Sequence, residues 1–370
     1  MSRSRDNASA VTTVPSGVGR NMVINGGMNV AQRSASVTGL GAAAGYFTLD
    51  RWKSLFSATA GRLTQTQTAD GPNGISANCL KLDCTTADTS IAAGEYFLLQ
   101  HKFEGHNVQR IGKGVAGAKE VTVSFYVKAN AAFDFGCELF DVTAERQCTK
   151  LFSTTTDWVR HEITFPADVD DGSSPFNDDN SNELELNFWL HSGSTFTSGT
   201  LNAAAFNNLQ SQNRATGIDS FFSSTDNNFF LTGVQMEVGP VATEFEQEDI
   251  STTLGKCQRY CQDLTPPTGG DTAYIGDGYA HTTTIVIAFI NFIAEFRATP
   301  TITLTGTPGD YSTYESGAAR AVTSLAINGP STNGTSINFV CSGGGLTVGE
   351  GAGVYLTADN THRSIIESEL

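Results

Sequence analysis

The sequence contains few charged residues, because Asp, Glu, Lys and Arg together make up only 16% of the chain, against about 25% in ordinary soluble domains. Basic residues are the scarcer kind, with 22 Lys and Arg against 38 Asp and Glu, and the formal net charge is -16. Binding to nucleic acid or to an anionic membrane surface depends on clustered Lys and Arg. The composition therefore predicts a protein that binds neither.

Long apolar runs are also missing. The most apolar stretch, residues 284–294, contains Asn291 and is shorter than the about 18 residues that a membrane-spanning helix needs. Residues 1–20 are polar and lack the apolar centre of a signal peptide. We therefore expect a soluble protein that is made in the cytoplasm and does not insert into a membrane.

The common catalytic and metal-binding patterns are absent. The chain has no Gly-x-Ser-x-Gly, His-Glu-x-x-His or Cys-x-x-Cys sequence, which are typical of hydrolases, zinc proteases and redox or zinc sites. Its 7 cysteines are odd in number, and we expect most of them to be small buried apolar residues. No rung repeat of a β-helical depolymerase is present. The sequence predicts a protein that is not an enzyme and needs no cofactor.

What the chain does contain is short alternating runs separated by Gly, Asn, Asp and Pro, which predicts an all-β fold. In residues 120–127 (EVTVSFYV) and 184–190 (LELNFWL) every second residue is apolar, as in strands with one buried face. Eight or more antiparallel strands of this kind over about 220 residues suit a two-sheet jelly roll. The tryptophans at 52, 158 and 189 lie in or beside strands, where we expect core positions.

The chain divides into four predicted parts. Residues 1–20 form an extended arm, and residues 21–248 form the jelly roll. Residues 249–264 carry apolar side chains at helical spacing before Pro266 and Pro267, which predicts a linking helix. Residues 265–370 contain about six further strands between turn signals, which predicts a smaller C-terminal β-sandwich.

Two long polar stretches, residues 168–182 and 192–228, interrupt the jelly roll. Loops of that length are usually functional or contact a partner. The first is acidic and offers oxygen ligands for Ca²⁺, although its spacing does not match an EF-hand, and a solvated loop is the alternative. The candidate ligands are Asp168, Asp170, Asp171, Asp178 and Asp179.

Four tyrosines of the C-terminal module lie in Gly- and Asp-rich segments (TAYIGDGYA and GDYSTYESG). Exposed aromatic rings stack on the apolar faces of sugars, so these residues are candidates for carbohydrate binding, and packing against a second subunit is the alternative. The candidates are Tyr274, Tyr279, Tyr311 and Tyr314.

Several motifs resemble those of a known family. Residues 21–33 (NMVINGGMNVAQR), 46–52 (YFTLDRW), 234–246 (VQMEVGPVATEFE) and 254–260 (LGKCQRY) are similar in order and spacing to phage virion structural proteins of the tail-fibre type. The main domain of those proteins resembles a carbohydrate-binding jelly roll. In this chain Cys261 replaces the second aromatic residue that usually follows the last motif.

The resemblance implies a homotrimer located in the virion, with the arm attached to other virion proteins and the C-terminal module directed at a host surface glycan. Two other functions remain open at this point. A capsid decoration protein would stabilise the shell without binding a receptor, and a glycan-cleaving depolymerase would release oligosaccharide.

Overall fold

The computed structural model describes residues 19–169, 175–264, 272–304, 307–357 and 364–370. Within these ranges the chain consists mainly of antiparallel strands, so the predicted all-β fold is confirmed. Contacts divide it into two units, which adjoin in sequence at Thr253 and Leu254. No helix in these ranges is long and apolar enough to span a membrane. Of the predicted arm, only Gly19 and Arg20 lie within the described residues.

The first unit is a β-sandwich of two sheets. Its strands are β1 (Ser36–Leu40), β2 (Gly45–Tyr46), β3 (Lys53–Ser57), β4 (Arg62–Thr68), β5 (Cys79–Thr86), β6 (Tyr96–Glu104), β7 (Val121–Ala129), β8 (Asp134–Asp141), β9 (Arg146–Ser153), β10 (Val159–Phe165), β11 (Asn182–Ser192), β12 (Asn207–Asn208) and β13 (Asn228–Val238). One sheet has the order β1-β4-β5-β13-β7-β10, and the other β12-β9-β8-β11-β6-β3-β2. Two short helices, α1 (Gly105–Val108) and α2 (Ser194–Thr197), lie between strands.

The core of the sandwich lies between the facing sides of the two sheets. The alternation in β7 and β11 predicted these sides correctly, since the apolar residues of both strands are at most 4% exposed. These residues are Val121, Val123, Phe125, Val127, Leu184, Leu186, Phe188 and Leu190. All 7 cysteines of the chain are buried, as expected.

The outer face of the seven-stranded sheet is covered as well. Part of the polar stretch 192–228, for which the sequence predicted a functional or partner-binding role, packs on this face of its own sheet. Arg214 in this segment donates to both carboxylate oxygens of Glu138 at 2.8 and 2.7 Å. Ala215 and Phe196 pack with Trp189 in a small second core. Strand β11 is therefore buried on both faces, which a simple in/out pattern does not predict.

The motifs that resemble virion proteins stabilise the start of the sandwich. Asn25 is buried with φ of 60°, and its amide donates to the carbonyls of Val30 and Asp50. The Trp52 indole donates to the Asn25 carbonyl. Gly26 is required because a Cβ atom there would lie 2.0 Å from the Val234 carbonyl oxygen. These contacts give the motif residues a structural role.

The linking helix is shorter than predicted. Helix α3 (Ile250–Gln258) ends before Cys261, which begins strand β14 (Cys261–Asp263). The apolar spacing of Leu254, Cys257 and Cys261 suggested a helix through residue 264, but residues 261–263 pair with residues 365–367 near the end of the chain. A partner that lies about 100 residues away in sequence is invisible to a local pattern.

The second unit contains a six-stranded closed barrel, where the sequence predicted a smaller β-sandwich. Its strands are β15 (Thr272–Ala280), β16 (Ile285–Asn291), β17 (Thr301–Leu304), β18 (Tyr311–Glu315), β19 (Ala318–Asn328), β20 (Gly334–Cys341), β21 (Gly351–Thr357) and β22 (Ser364–Glu367). The barrel has the order β15-β16-β20-β19-β18-β21, and β15 also pairs with β21. Closure removes the unpaired edges that a small open sheet would expose. Strands β14, β22 and β17 form a separate sheet.

Candidate functional site

An open groove of about 500 Å³ lies on the outer face of the barrel, along strands β15 and β16. Two of the four tyrosines that the sequence singled out, Tyr274 and Tyr279, line it. The complete lining consists of Leu264, Tyr274, Ile275, Gly276, Asp277, Gly278, Tyr279, Phe289, Ile290 and Asn291. The groove therefore combines exposed rings with a carboxylate and an amide.

A β-bulge places both tyrosines on the same face. Tyr274 and Tyr279 are separated by an odd number of positions, so a regular strand would direct them to opposite sides of the sheet. The pairing of β15 with β21 shifts between Tyr274 and Gly276, which adds one residue to β15. As a result Tyr274 is 50% exposed and Tyr279 is 36% exposed.

The rings form two neighbouring groups across four adjacent strands. Tyr279 on β15 stacks on Phe289 of β16, with ring centres 6.3 Å apart and planes 19° apart. Tyr355 on β21 makes edge contacts with Tyr274 at 5.5 Å and with Tyr314 of β18 at 6.3 Å. Phe289 is 55% exposed. The outer face of the barrel thus presents an aromatic surface to solvent.

A glycine forms the floor beneath part of this surface. Gly353 of β21 pairs with Asp277 and with Tyr314 in the two neighbouring ladders. A Cβ atom there would lie 3.1 Å from Cε2 of Tyr355 and 3.5 Å from Cε2 of Tyr274. The missing side chain lets both rings lie close to the sheet.

Asp277 supplies the charge of the groove. Desolvation, then a hydrogen bond to the Asp277 carboxylate and the negative charge of that group, raises the pKa of Tyr274 to about 12. The Tyr274 phenol is therefore neutral over the physiological range and donates to Asp277. Asp277 and Asn291 are exposed, so both keep free capacity for hydrogen bonds with a ligand. No Lys or Arg is among the lining residues.

The prediction that Tyr311 is a surface residue is wrong. Tyr311 is 1% exposed and packs against Phe339 inside the barrel, with ring centres 6.0 Å apart. Tyr311 and Tyr314 are three positions apart on β18, so they point to opposite faces, and Tyr314 is 46% exposed. Tyr314 lies on the aromatic surface but not in the lining of the groove.

Sequence reasoning missed Phe289 and Tyr355. Residues 285–291 (IVIAFIN) form one apolar run, so their side chains do not alternate between apolar and polar and give no indication of the exposed face. In the structure Val286, Ala288 and Ile290 face the core, whereas Phe289 faces solvent. When nearly every residue of a strand is apolar, the sequence does not show which face is exposed, because that depends on what packs against the strand.

The acidic residues predicted to bind Ca²⁺ do not form a site among the described residues. Both oxygens of Asp168 accept from Arg146, at 2.8 and 3.0 Å. Asp178 pairs with His106 at 2.9 Å, and Asp179 accepts from the Ser181 amide. These carboxylates serve separate local contacts and do not converge. Asp170 and Asp171 lie outside the described residues.

The tryptophans divide into core and surface. Trp52 and Trp189 are at most 1% exposed, as predicted. Trp158 is only half-buried, on the outer side of the six-stranded sheet, where its indole donates to the Asp70 carbonyl. The Lys128 ammonium lies 5.1 Å from its ring centre. The cation occupies the ring of Trp158, which makes it a poor stacking surface for a ligand.

No protein-family model and no curated protein matches the chain. Solved structures with low similarity include a CBM4 carbohydrate-binding module, with 9% identity, a TM-score of 0.29 and coverage of 58% of this chain and 99% of the other. The CBM61 module in complex with β-1,4-galactotriose has 9% identity, a TM-score of 0.30 and coverage of 59% and 99%. The family 11 carbohydrate-binding module of a Clostridium thermocellum cellulase has 14% identity, a TM-score of 0.27 and coverage of 57% and 99%. Scores this low carry no argument about what this chain binds.

Proposed function

We propose that the chain is a carbohydrate-binding protein and that the groove on the barrel holds the sugar. The observation that carries this proposal is the exposure of Tyr274, Tyr279 and Phe289 around the carboxylate of Asp277. Ligand sites are concave and largely apolar, with a few polar groups that fix the orientation of the ligand. The apolar face of a pyranose stacks on such rings, and its hydroxyl groups donate to the carboxylate.

The charge of the groove narrows the class of sugar. Asp277 is the charged residue of the lining, and none of the lining residues is basic. The whole chain carries a formal charge of -16, so an acidic polysaccharide would be repelled during its approach. Neutral hexoses and amino sugars are the ligands that this chemistry favours.

We further propose that the protein acts in a phage virion, as a trimeric fibre-type component that attaches to host surface carbohydrate and does not cleave it. The order and spacing of the motifs in residues 21–33, 46–52, 234–246 and 254–260 support this assignment. The arm of residues 1–20 would then attach to other virion proteins. The exposed groove supplies the receptor-binding element of the same proposal.

Binding is tested with the full-length protein on an array of neutral, amino and acidic glycans, followed by titration calorimetry with the best ligand. We expect Tyr274→Ala and Tyr279→Ala each to weaken binding about tenfold, which corresponds to about 1.4 kcal/mol. Tyr314→Ala is the matched control, because Tyr314 is an exposed tyrosine of the same barrel outside the groove. Absence of glycan binding, or equal losses in all three variants, would contradict the proposal.

The virion assignment has a separate test. An antibody against residues 265–370 is applied to intact phage particles and read by electron microscopy. Label on the tail or its fibres supports attachment to the host, and regular label over the head indicates a decoration protein or a head fibre. Particles that carry no label contradict the virion assignment and leave the carbohydrate proposal standing.

A further inference from the structure

Three ligand-type side chains meet inside the first unit, far from the barrel in sequence. Asp88 lies in the loop after β5, Glu95 lies just before β6, and His191 lies near the end of β11. One donor atom from each lies within 4.8 Å of the other two. Their side chains are buried, with 4%, 6% and 0% of the residue exposed. Burial of three such groups together is costly unless something satisfies them.

The surrounding residues hold the Asp88 carboxylate in place. One oxygen of Asp88 accepts from the Thr59 hydroxyl and from the Ala60 amide, both at 2.8 Å. The Asp88 amide donates to the Phe222 carbonyl. These hydrogen bonds fix the orientation of the Asp88 carboxylate.

His191 is oriented towards the carboxylates. Its Nδ1 atom lies 2.8 Å from the Ser220 hydroxyl, which fixes the ring. Its Nε2 atom lies 3.7 Å from Oε2 of Glu95. Neither Nε2 of His191 nor Oε2 of Glu95 has a hydrogen-bond partner, although both atoms are buried. Two buried, unsatisfied polar atoms that face each other need an explanation in a folded protein, and a bound ion is one.

A cation placed between the three groups would take one donor atom from each of them. It would also satisfy Nε2 of His191 and Oε2 of Glu95, the two buried atoms without a hydrogen-bond partner.

We propose that Asp88, Glu95 and His191 bind a divalent transition-metal ion, for which Zn²⁺ is the probe. Two carboxylates and one imidazole are ligands that zinc accepts, with water as the fourth ligand. The 3.7 Å between Nε2 and Oε2 is close to the about 3.3 Å edge of a tetrahedron built from zinc bond lengths. Ca²⁺ fits poorly, because it takes six to eight oxygen ligands.

The outer contacts complete the site. In the metal-bound form the Nδ1–H group of His191 donates to Ser220, and Thr59 holds Asp88, as is typical of groups that orient metal ligands. The ion joins the loops around residues 59, 88 and 220 to strand β11. Its effect is therefore on the stability of the first unit, and the proposal does not depend on sugar binding by the barrel.

The test uses the full-length protein, treated with a chelator and then titrated with ZnCl₂ by calorimetry, with metal content measured by mass spectrometry. We expect one Zn²⁺ per chain and a rise in Tm of roughly 5 °C when free zinc is about 100 times the Kd. His191→Gln and Asp88→Asn abolish this binding. Ser220→Ala weakens it about 10- to 100-fold. His106→Gln is the control, because His106 is exposed and pairs with Asp178 elsewhere.

A proton on Glu95 is the competing explanation of the unsatisfied atoms. Glu95→Gln separates the two, because its amide can donate to Nε2 of His191 and keep the fold while removing a metal ligand. We expect this variant to fold, to bind no zinc and to show no rise in Tm. The proposal is overturned if the wild type binds no zinc, or if the Glu95 and His191 variants bind it as tightly as the wild type does.

Discussion

The jelly roll and the barrel use aromatic residues in opposite ways. In the jelly roll Trp52, Phe125 and Phe188 are fully buried between the sheets. In the barrel the core consists mainly of small and aliphatic residues, whereas Tyr274 and Phe289 are about half exposed on the outer face. Aromatic residues in the first unit stabilise the fold. In the second unit several of them contribute little to the core and are available to a ligand.

The difference follows from what covers each sheet. In the jelly roll the segment that contains Phe196, Arg214 and Ala215 covers one side of β8 and β11. It buries Glu138, Asn187 and Trp189. In the described part of the barrel the outer face of β15 and β16 remains open. An aromatic residue on an uncovered strand face lowers the solubility of the protein. Its presence there therefore favours a role in binding.

The largest expected difference in stability is between two variants, each of which replaces one phenylalanine of one unit by alanine. Phe188→Ala empties a position at the centre of the sandwich and should lower the free energy of unfolding by about 3–5 kcal/mol. Phe289→Ala removes a ring that is 55% exposed and should change it by less than about 0.5 kcal/mol. Urea unfolding followed by circular dichroism measures both. Equal losses of unfolding free energy in the two variants would contradict the proposed difference between the units.

The next effect concerns the charged network under residues 193–222. Glu138 is 0% exposed and accepts from Arg214, Trp189 and Asn187. Glu138→Ala leaves the arginine without its partner and should cost about 3 kcal/mol. Glu162→Ala is the control, since Glu162 forms an exposed pair with Arg160, and exposed pairs contribute at most about 1 kcal/mol.

Tryptophan fluorescence measures the unfolding of the first unit in the Glu138→Ala and Glu162→Ala variants, because all 3 tryptophans of the chain lie in the jelly roll. A loss that is no larger for Glu138→Ala than for Glu162→Ala would show that residues 193–222 do not depend on this ion pair. The outer face of the sheet would then be held by its apolar contacts alone.

A smaller effect appears on acidification. Burial, and then the charge of Arg51, holds the pKa of His101 well below 6.5 in the folded state. The unfolded state binds the proton first, so this contribution to stability is complete above about pH 6.5 and decreases as the pH falls below it. The slope is at most about 1.4 kcal/mol per pH unit. Urea unfolding at pH 7.5, 6.5 and 5.5, read by tryptophan fluorescence, should show a steeper decline for the wild type than for His101→Gln. Parallel declines would contradict this assignment.

The smallest effect on stability is expected for a substitution of Gly353, which lies beneath the aromatic surface. The same substitution should clearly weaken glycan binding. Gly353→Leu places a side chain against the rings of Tyr274 and Tyr355 on the outer face. We expect the free energy of unfolding to change by less than about 0.5 kcal/mol and glycan affinity to fall about tenfold. Gly117→Leu, at an open position in the first unit, is the control. Unchanged affinity in Gly353→Leu would place the sugar away from these two rings.

Much of the jelly roll was predictable from the sequence, and the sites were predictable only in part. The faces of β7 and β11 followed from alternation, and the buried positions of Trp52 and Trp189 followed from their strands. Tyr274 and Tyr279 were selected as candidates because they lie in a Gly- and Asp-rich segment, and both are exposed. Tyr311 was wrongly predicted to be exposed. Its neighbours in sequence are typical of a loop, but in the structure Tyr311 lies on β18 and its side chain points into the barrel.

The sequence by itself determined the all-β class and the apolar faces of β7 and β11, since alternation is a property of neighbouring residues. Only the tertiary structure decided which faces are covered, that the second unit closes into a barrel, and that the β15 bulge aligns Tyr274 with Tyr279. It alone brings His191 to Asp88 and Glu95, about 100 residues earlier in the chain. These outcomes depend on pairing and packing between distant segments, which leave no mark on any local pattern.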